Sequence, residues 1–286
     1  MRLLRVGAPG DERACVLRPD GTTVDVSAHV PDYGPAFFAD GGLDRLRALL
    51  ASDINLPQVD LADGRRIGAC VARPHKVICV GLNYSDHAAE AGMPVPDEPI
   101  IFFKATNAVV GPYDDVLIPH GSTKTDWEVE LAVVIGAPGR YLADEQAAMD
   151  IVAGYAVAND VSERAFQLER GGQWVKGKSC ETFNPIGPWL VTADEVPDPQ
   201  ALPMWLDVNG ERRQTGSTAT MVFAVAHIVW YLSQFMVLEP GDVINTGTPP
   251  GVGMGMDPPV FLQDGDVVEL EIAGLGRQRQ TVRPAP

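Results

Sequence analysis

Asp126-Trp127-Glu128-Val129-Glu130-Leu131-Ala132-Val133-Val134-Ile135-Gly136 joins an apolar run to an acidic leading end. The run of Leu, Ala, Val, Val and Ile, stopped by glycine, reads as a β-strand. Residues i and i+2 of a strand share a face. Glu128 and Glu130 therefore lie side by side at the mouth of an apolar strand. Unpaired, they repel each other and hold their protons more firmly. A hard divalent cation removes that conflict, because Mg²⁺ and Ca²⁺ prefer oxygen ligands. Spacing alone leaves a solvated strand end as the commoner explanation of an acidic pair.

Outward from this strand the chain keeps the same texture. Residues 77–80 are apolar and stop at Gly81-Leu82-Asn83, 100–103 stop at Lys104, and 152–158 stop at Asn159-Asp160. Asp160, ending a second apolar strand, could supply a third oxygen beside Glu128 and Glu130. Runs at 186–191, 204–208, 243–244 and 267–272 extend the β-rich series. Helices are expected at 144–153, whose acidic start suits the helix dipole, and at 220–235. The 29 Gly and 24 Pro fall mainly between these runs. This is not the regular βα alternation of a doubly wound sheet, so the fold class is mixed, β-rich α+β. The character changes near Arg73-Pro74, which divides the chain into 1–72 and 73–286. In the first part, two short strands joined by an Asp20-Gly21 turn and a helix at 43–50 predict a small α+β module with a structural role.

The 286 residues include 22 Lys and Arg against 38 Asp and Glu, a formal net charge of −16. Such a chain is a poor general binder of nucleic acid, whose phosphates need a positive surface. It is also repelled by anionic membranes. An anionic substrate would require a local reversal of sign, and a bound metal cation is the obvious means. The uncharged stretch 216–238 is interrupted by His227, Ser233 and Gln234 and has no basic anchors, so a core helix is expected rather than a membrane span. The start, MRLLRVGAPGDE, lacks a signal-peptide apolar run, and the four cysteines form no CxxC pair. A reduced, cytoplasmic protein is the expectation.

Ser85-Asp86-His87-Ala88-Ala89-Glu90 has helix-start chemistry. His87 and Glu90, three apart, can touch on one turn. A carboxylate beside an imidazole makes a general base for activating water, although an exposed, ion-paired histidine has the same spacing. Lys178 lies in GGQWVKGKS (171–179), read as a flexible Gly-rich polar loop, and is a candidate cation for charge stabilisation. His227 is expected to be a core or satisfied histidine. GTPPGVGMG (247–255) lacks the P-loop lysine and the GxGxxG spacing, and reads as a pocket loop rather than a phosphate cradle. There is no HExxH and no GxSxG, so zinc-peptidase and serine-hydrolase chemistry have no support. An all-carboxylate site suits Mg²⁺ or Mn²⁺, with Ca²⁺ a further option.

Taken together, VGLNYSDHAAE (80–90), IIFFK (100–104), DWEVELAVVIG (126–136), VAGYAVANDVSERAFQ (152–167), KGKSCETFNPIGPWLVT (176–192), LDVNGERRQTGST (206–218) and EPGDVINTGTPPGVGMG (239–255) resemble the fumarylacetoacetate hydrolase family, in its bacterial acylpyruvase and diketo-acid hydrolase branch. The resemblance covers about 75–286 and implies a β-roll or barrel catalytic domain, a small N-terminal domain and a homodimer. It implies Glu128, Glu130 and Asp160 as ligands of one divalent cation. His87 and Glu90 match the dyad that activates water, Lys178 the active-site lysine and Gln167 a residue that places the water. Lys104, Arg164 and Thr248 match positions lining the substrate pocket. Leu82 stands where some relatives carry arginine, so contacts to the substrate differ there. The implied activity is metal-dependent hydrolysis of a C–C bond in a 2,4-diketo acid, an acylpyruvate or a diketo-deoxy sugar acid. Oxaloacetate decarboxylation, hydration or isomerisation of a 2-oxo acid, and ureidoglycolate cleavage are alternatives on the same site. A catalytically silent metal- or ligand-binding protein is a remoter one.

Overall fold

The computed structural model describes residues 1–86 and 95–286. His87 and Glu90 lie outside the described residues.

The strand read first, Val129–Ile135, is buried along its whole length. It pairs antiparallel with Val152–Asn159 on one side and with Val243–Asn245 on the other. Beyond Val243–Asn245 come Val77–Gly81, in parallel, and then Ile100–Lys104, antiparallel. On the other flank Val152–Asn159 pairs with Asn184–Thr192, which pairs with Arg2–Val6. The strands Arg13–Leu17, Thr23–Asp25 and Gln58–Val59 continue the sheet outward. The N-terminal strands thus extend the main sheet. A separate five-stranded sheet runs in the order Glu211–Ser217, Pro203–Val208, Val267–Ile272, Gly276–Pro284, Val116–Ile118. The class is the β-rich α+β expected, with the sheets open: no closed barrel forms among the described residues.

The alternation of Val129–Ile135 separates two cores. Val129, Leu131, Val133 and Ile135 join Leu206, Leu270 and other apolar residues of the second sheet. Ala132 and Val134 turn to the opposite side, among Leu3, Val16, Phe37 and Leu46 of the N-terminal part. A strand with apolar cover on both faces has no polar face, which explains its unbroken hydrophobic run.

Two helices are shorter than the sequence suggests. The expected 144–153 helix is Glu145–Asp150, with the Asp144 side chain accepting the Ala147 N–H at 2.8 Å as an N-cap. It stops because Val152 is already paired with Ile135 in the sheet. The expected 220–235 helix is Val225–Ser233, with Val225, Ile228, Val229 and Leu232 buried at helical spacing. Among the described residues no helix is long and apolar enough to cross a membrane. His227 is half-buried on that helix, 3.0 Å from Glu145 Oε1 and stacked on Phe223 and Tyr231. It is satisfied, though outside the core.

The topology gathers chemistry at one end of the sheet. Val129–Ile135 starts there, while its antiparallel neighbours Val152–Asn159 and Val243–Asn245, and the parallel Val77–Gly81, all finish there. Polar residues that lead or trail four different strands therefore meet around one volume.

Candidate active site

Register brings the carboxylates together. Val129 is opposite Asn159, so Glu128 and Asp160 are the next residues out, and the Asp160 N–H donates to the Glu128 carbonyl at 2.9 Å. Glu130 is one pleat further along the same face as Glu128 and accepts the Gly247 N–H at 2.8 Å. All three carboxylates are buried, and one oxygen from each lies within 4.8 Å of the others, so the group could hold a metal ion. The donor set is all oxygen, as Mg²⁺ or Mn²⁺ prefers. Burial, then the charges of Asp160 and Glu128, push the Glu130 pKa well above the usual carboxylate range. A divalent cation would relieve that accumulation.

Three buried cations surround the carboxylates. Lys178 Nζ donates to Glu128 Oε2 at 2.8 Å and to Asp160 Oδ2 at 2.9 Å. Burial opposes its charge, but Asp160 and Glu128 more than offset it and raise its pKa. The expected loop around Lys178 is a short helix, Val175–Lys178. Its Gly177 is placed by packing, since a Cβ there would come within 2.3 Å of the Glu163 carbonyl oxygen and 2.5 Å of the Gln167 nitrogen. Arg164 begins the helix Arg164–Leu168, where Glu163 caps the Ala165 N–H. It donates from Nε to Asp126 Oδ2 at 2.8 Å, lies 2.7 Å from Glu128 Oε1, and donates from Nη1 to Gln167 Oε1 at 3.1 Å.

These side chains open onto a cavity of about 110 Å³. Glu128, Glu130, Arg164, Gln167, Lys178 and Thr248 form its polar end. Gln167 Oε1 is held by Arg164, so its amide nitrogen is the group left to donate. Thr248 spends its hydroxyl proton on the Val129 carbonyl at 2.9 Å and accepts from Gln214 at 2.8 Å, so toward a ligand it can only accept. Lys104 differs from its expected place on the pocket wall. It is buried, bound to Asp160 and to the Val161 carbonyl, and is not among the residues lining this cavity.

Asp126 stands beside these residues without a motif of its own. It is wholly buried, holds Arg164, and accepts the N–H groups of Trp127, Gly253 and Met254 at 2.8, 2.7 and 3.0 Å. Carrying the i, i+2 alternation one step back from Glu128 would have found it. Asp126, Glu128, Glu130 and Asp160 against Lys104, Arg164 and Lys178 leave a formal excess of one negative charge. A bound divalent cation would reverse the sign of that sum over the described residues.

Residues 76–283 match the family model described as fumarylacetoacetate (FAA) hydrolase, C-terminal. The chain belongs to the fumarylacetoacetate hydrolase family. A family relative from Burkholderia multivorans is 60% identical over 286 residues, the whole of both chains, and carries only a provisional hydrolase name. The fumarylacetoacetate hydrolase of the psychrophile Exiguobacterium antarcticum is similar in structure, with TM-score 0.84, 37% identity and complete coverage of both chains. The maleylpyruvate hydrolase of Sphingobium sp. SYK-6, solved with manganese(II) and pyruvate, has TM-score 0.81 and 30% identity, again over both whole chains. Family membership accords with the acidic group as a place for a metal ion and with an enzyme of hydrolase or related type.

Proposed function

We propose that this protein hydrolyses the C–C bond of a 2,4-diketo acid, an acylpyruvate, with a divalent cation held by Glu128, Glu130 and Asp160. The observation that carries this reading is the buried three-carboxylate group at the polar end of a cavity, with Lys178 and Arg164 beside it. When bound, the cation supplies a Lewis acid for the 2-oxo-carboxylate end of the substrate. Magnesium and manganese both suit the donors, and the manganese in the maleylpyruvate hydrolase is a precedent.

The remaining work falls to the chain's own groups. His87, oriented by Glu90, takes a proton as water adds to the distal carbonyl carbon. Gln167 donates to that water or to the oxygen it attacks. The third ammonium hydrogen of Lys178, which reaches only the Asp160 carbonyl at 3.5 Å, turns to the developing oxyanion. The bond between the attacked carbon and the methylene then breaks. Its electron pair becomes the enolate of pyruvate, which picks up a proton, and the acyl fragment leaves as a carboxylic acid. One water is consumed and no oxidant or reductant is needed.

The test is a panel of acylpyruvates and oxaloacetate with Mg²⁺ and with Mn²⁺, followed by loss of enol absorbance before and after chelation. Turnover of acylpyruvates should vanish on chelation and return with metal. His87→Ala should lose about 10²–10⁴-fold in kcat with metal binding intact. Turnover indifferent to chelation, or an unchanged His87→Ala, overturns the assignment. Consumption of oxaloacetate alone, with CO₂ released, puts the site in decarboxylation instead.

A further inference from the structure

Val129 stands between two of the three carboxylates, and side chains hold its backbone. Glu128 turns both its peptide groups toward the strand Val152–Asn159. Its N–H donates to Asn159 Oδ1 at 3.1 Å, and its carbonyl accepts the Asp160 N–H at 2.9 Å. Val129 turns the opposite way, as the next residue of a strand must. On that side Val243–Asn245 pairs only with Ala132–Val134. Among the described residues no strand reaches Val129 there, and two side chains take its hydrogen bonds instead. The Val129 N–H donates to Gln214 Oε1 at 2.9 Å, and its carbonyl accepts from the Thr248 hydroxyl at 2.9 Å. Gln214 Nε2 completes the clasp, donating to Thr248 Oγ1 at 2.8 Å and to the Pro249 carbonyl at 2.7 Å. A backbone donor at one end and a backbone acceptor at the other leave the carboxamide a single orientation.

Gln214 comes from the second sheet. It is the one buried side chain of Glu211–Ser217, the outermost strand there. It is not among the residues lining the cavity. The loop that carries Thr248 rests directly on this strand. A Cβ at Gly251 would fall 2.0 Å from the Arg213 carbonyl oxygen, and one at Gly216 2.5 Å from Pro249 Cβ. A buried carboxamide needs partners, and all three found by Gln214 belong to Val129 or to the Thr248 loop. Glu128 and Glu130 leave the chain on either side of Val129. Any rotation of its peptide groups therefore swings both carboxylates, and a metal site accepts displacements of only about 0.2 Å.

We propose, resting on Glu128 and Glu130 as metal ligands, that Gln214 is a positioning residue for the cation. Through its carboxamide the second sheet fixes the Val129 backbone, and with it the spacing at which the two glutamates meet the metal.

Mn²⁺ is the probe, read by titration and by the EPR spectrum of the bound ion, whose fine structure follows the symmetry of its ligands. Gln214→Met keeps the volume and removes all three bonds. It should weaken Mn²⁺ binding about 10–100-fold, the usual effect of losing a group that orients a ligand, and alter the spectrum. Thr248→Val removes the other half of the clasp and stands in if Gln214→Met fails to fold. Val268→Ala, a truncation of a wholly buried residue in the same sheet, controls for lost stability. It should lower Tm and leave Mn²⁺ affinity and spectrum unchanged. Wild-type affinity and spectrum in the clasp variant, or the same losses in Val268→Ala, overturn the proposal. An unaltered protein that binds no Mn²⁺ refutes the metal site and this proposal with it. Altered Mn²⁺ binding in the clasp variant, with no acylpyruvate cleaved by the unaltered protein, refutes C–C hydrolysis and leaves Gln214 its role.

Discussion

Asp126 is where a single substitution should expose the logic of the site. Its carboxylate is wholly buried and accepts four hydrogen bonds, one from Arg164 and three from the N–H groups of Trp127, Gly253 and Met254. Asp126→Ala removes all four acceptor contacts. It leaves a buried guanidinium with Glu128 as its one remaining ionic partner among the described residues, and three backbone donors unsatisfied. Breaking a buried ion pair from one side costs about 3–5 kcal/mol. The donors add about 1–3 kcal/mol each wherever water cannot reach them. The ion-pair cost alone, for a chain of this length, lowers Tm by roughly 5–8 °C at about 2 cal/mol/K of unfolding entropy per residue. Asp126→Asn keeps one acceptor oxygen and the shape but loses the charge, so it should fall between the wild type and alanine. Urea unfolding with intrinsic tryptophan fluorescence measures all three. Arg164 also touches Glu128 and Gln167, so its release should raise KM for the anion as well. An alanine variant within about 1 kcal/mol of wild type, or an asparagine variant as stable as the wild type, would refute the view that a charged anchor holds Arg164 in place.

Two further outcomes follow from the same geometry. Lys104→Met removes a cation beside Asp160 without touching the cavity. The carboxylate group becomes more negative, so Mn²⁺ should bind about tenfold more tightly by titration while KM for a 2-oxo acid rises; weaker metal binding would contradict the charge balance. Gly81→Ala places a Cβ 2.7 Å from Trp174 Cζ3, and the ring must move. Ligand affinity should drop several-fold, with a stability loss of about 1–3 kcal/mol from the forced contact, both readable in one thermal-shift series with and without ligand.

Much of the metal group could be read along the chain because its logic is local. An i, i+2 acidic pair on an apolar strand states its own geometry. Asp160 was reachable because it ends another apolar run, although only register sets it beside Glu128. Lys104 shows the limit of such reading. As the polar end of an apolar strand it resembles a pocket residue, yet the fold ties its ammonium to Asp160 and the Val161 carbonyl, off the cavity lining. Trp174 and Phe102 are more than 70 residues apart and carry no motif, so nothing local announces that they line one cavity.

The sequence by itself determined the β-rich class, the family, the acidic group and the exclusion of phosphate-cradle and serine-hydrolase chemistry. These depend on alternation, composition and ordered motifs, which are properties of neighbours in the chain. Tertiary structure alone decided which cations face the cavity, that Asp126 anchors Arg164, and that Phe102 and Trp174 line the same cavity. Those depend on strand register and on packing between distant segments: Val77–Gly81, Ile100–Lys104 and Val175–Lys178 contribute to one cavity because their ends converge on the edge where Val129–Ile135 begins. The net charge of −16 is a property of the chain, but its near-cancellation at the site is a property of seven buried side chains that only folding brings together.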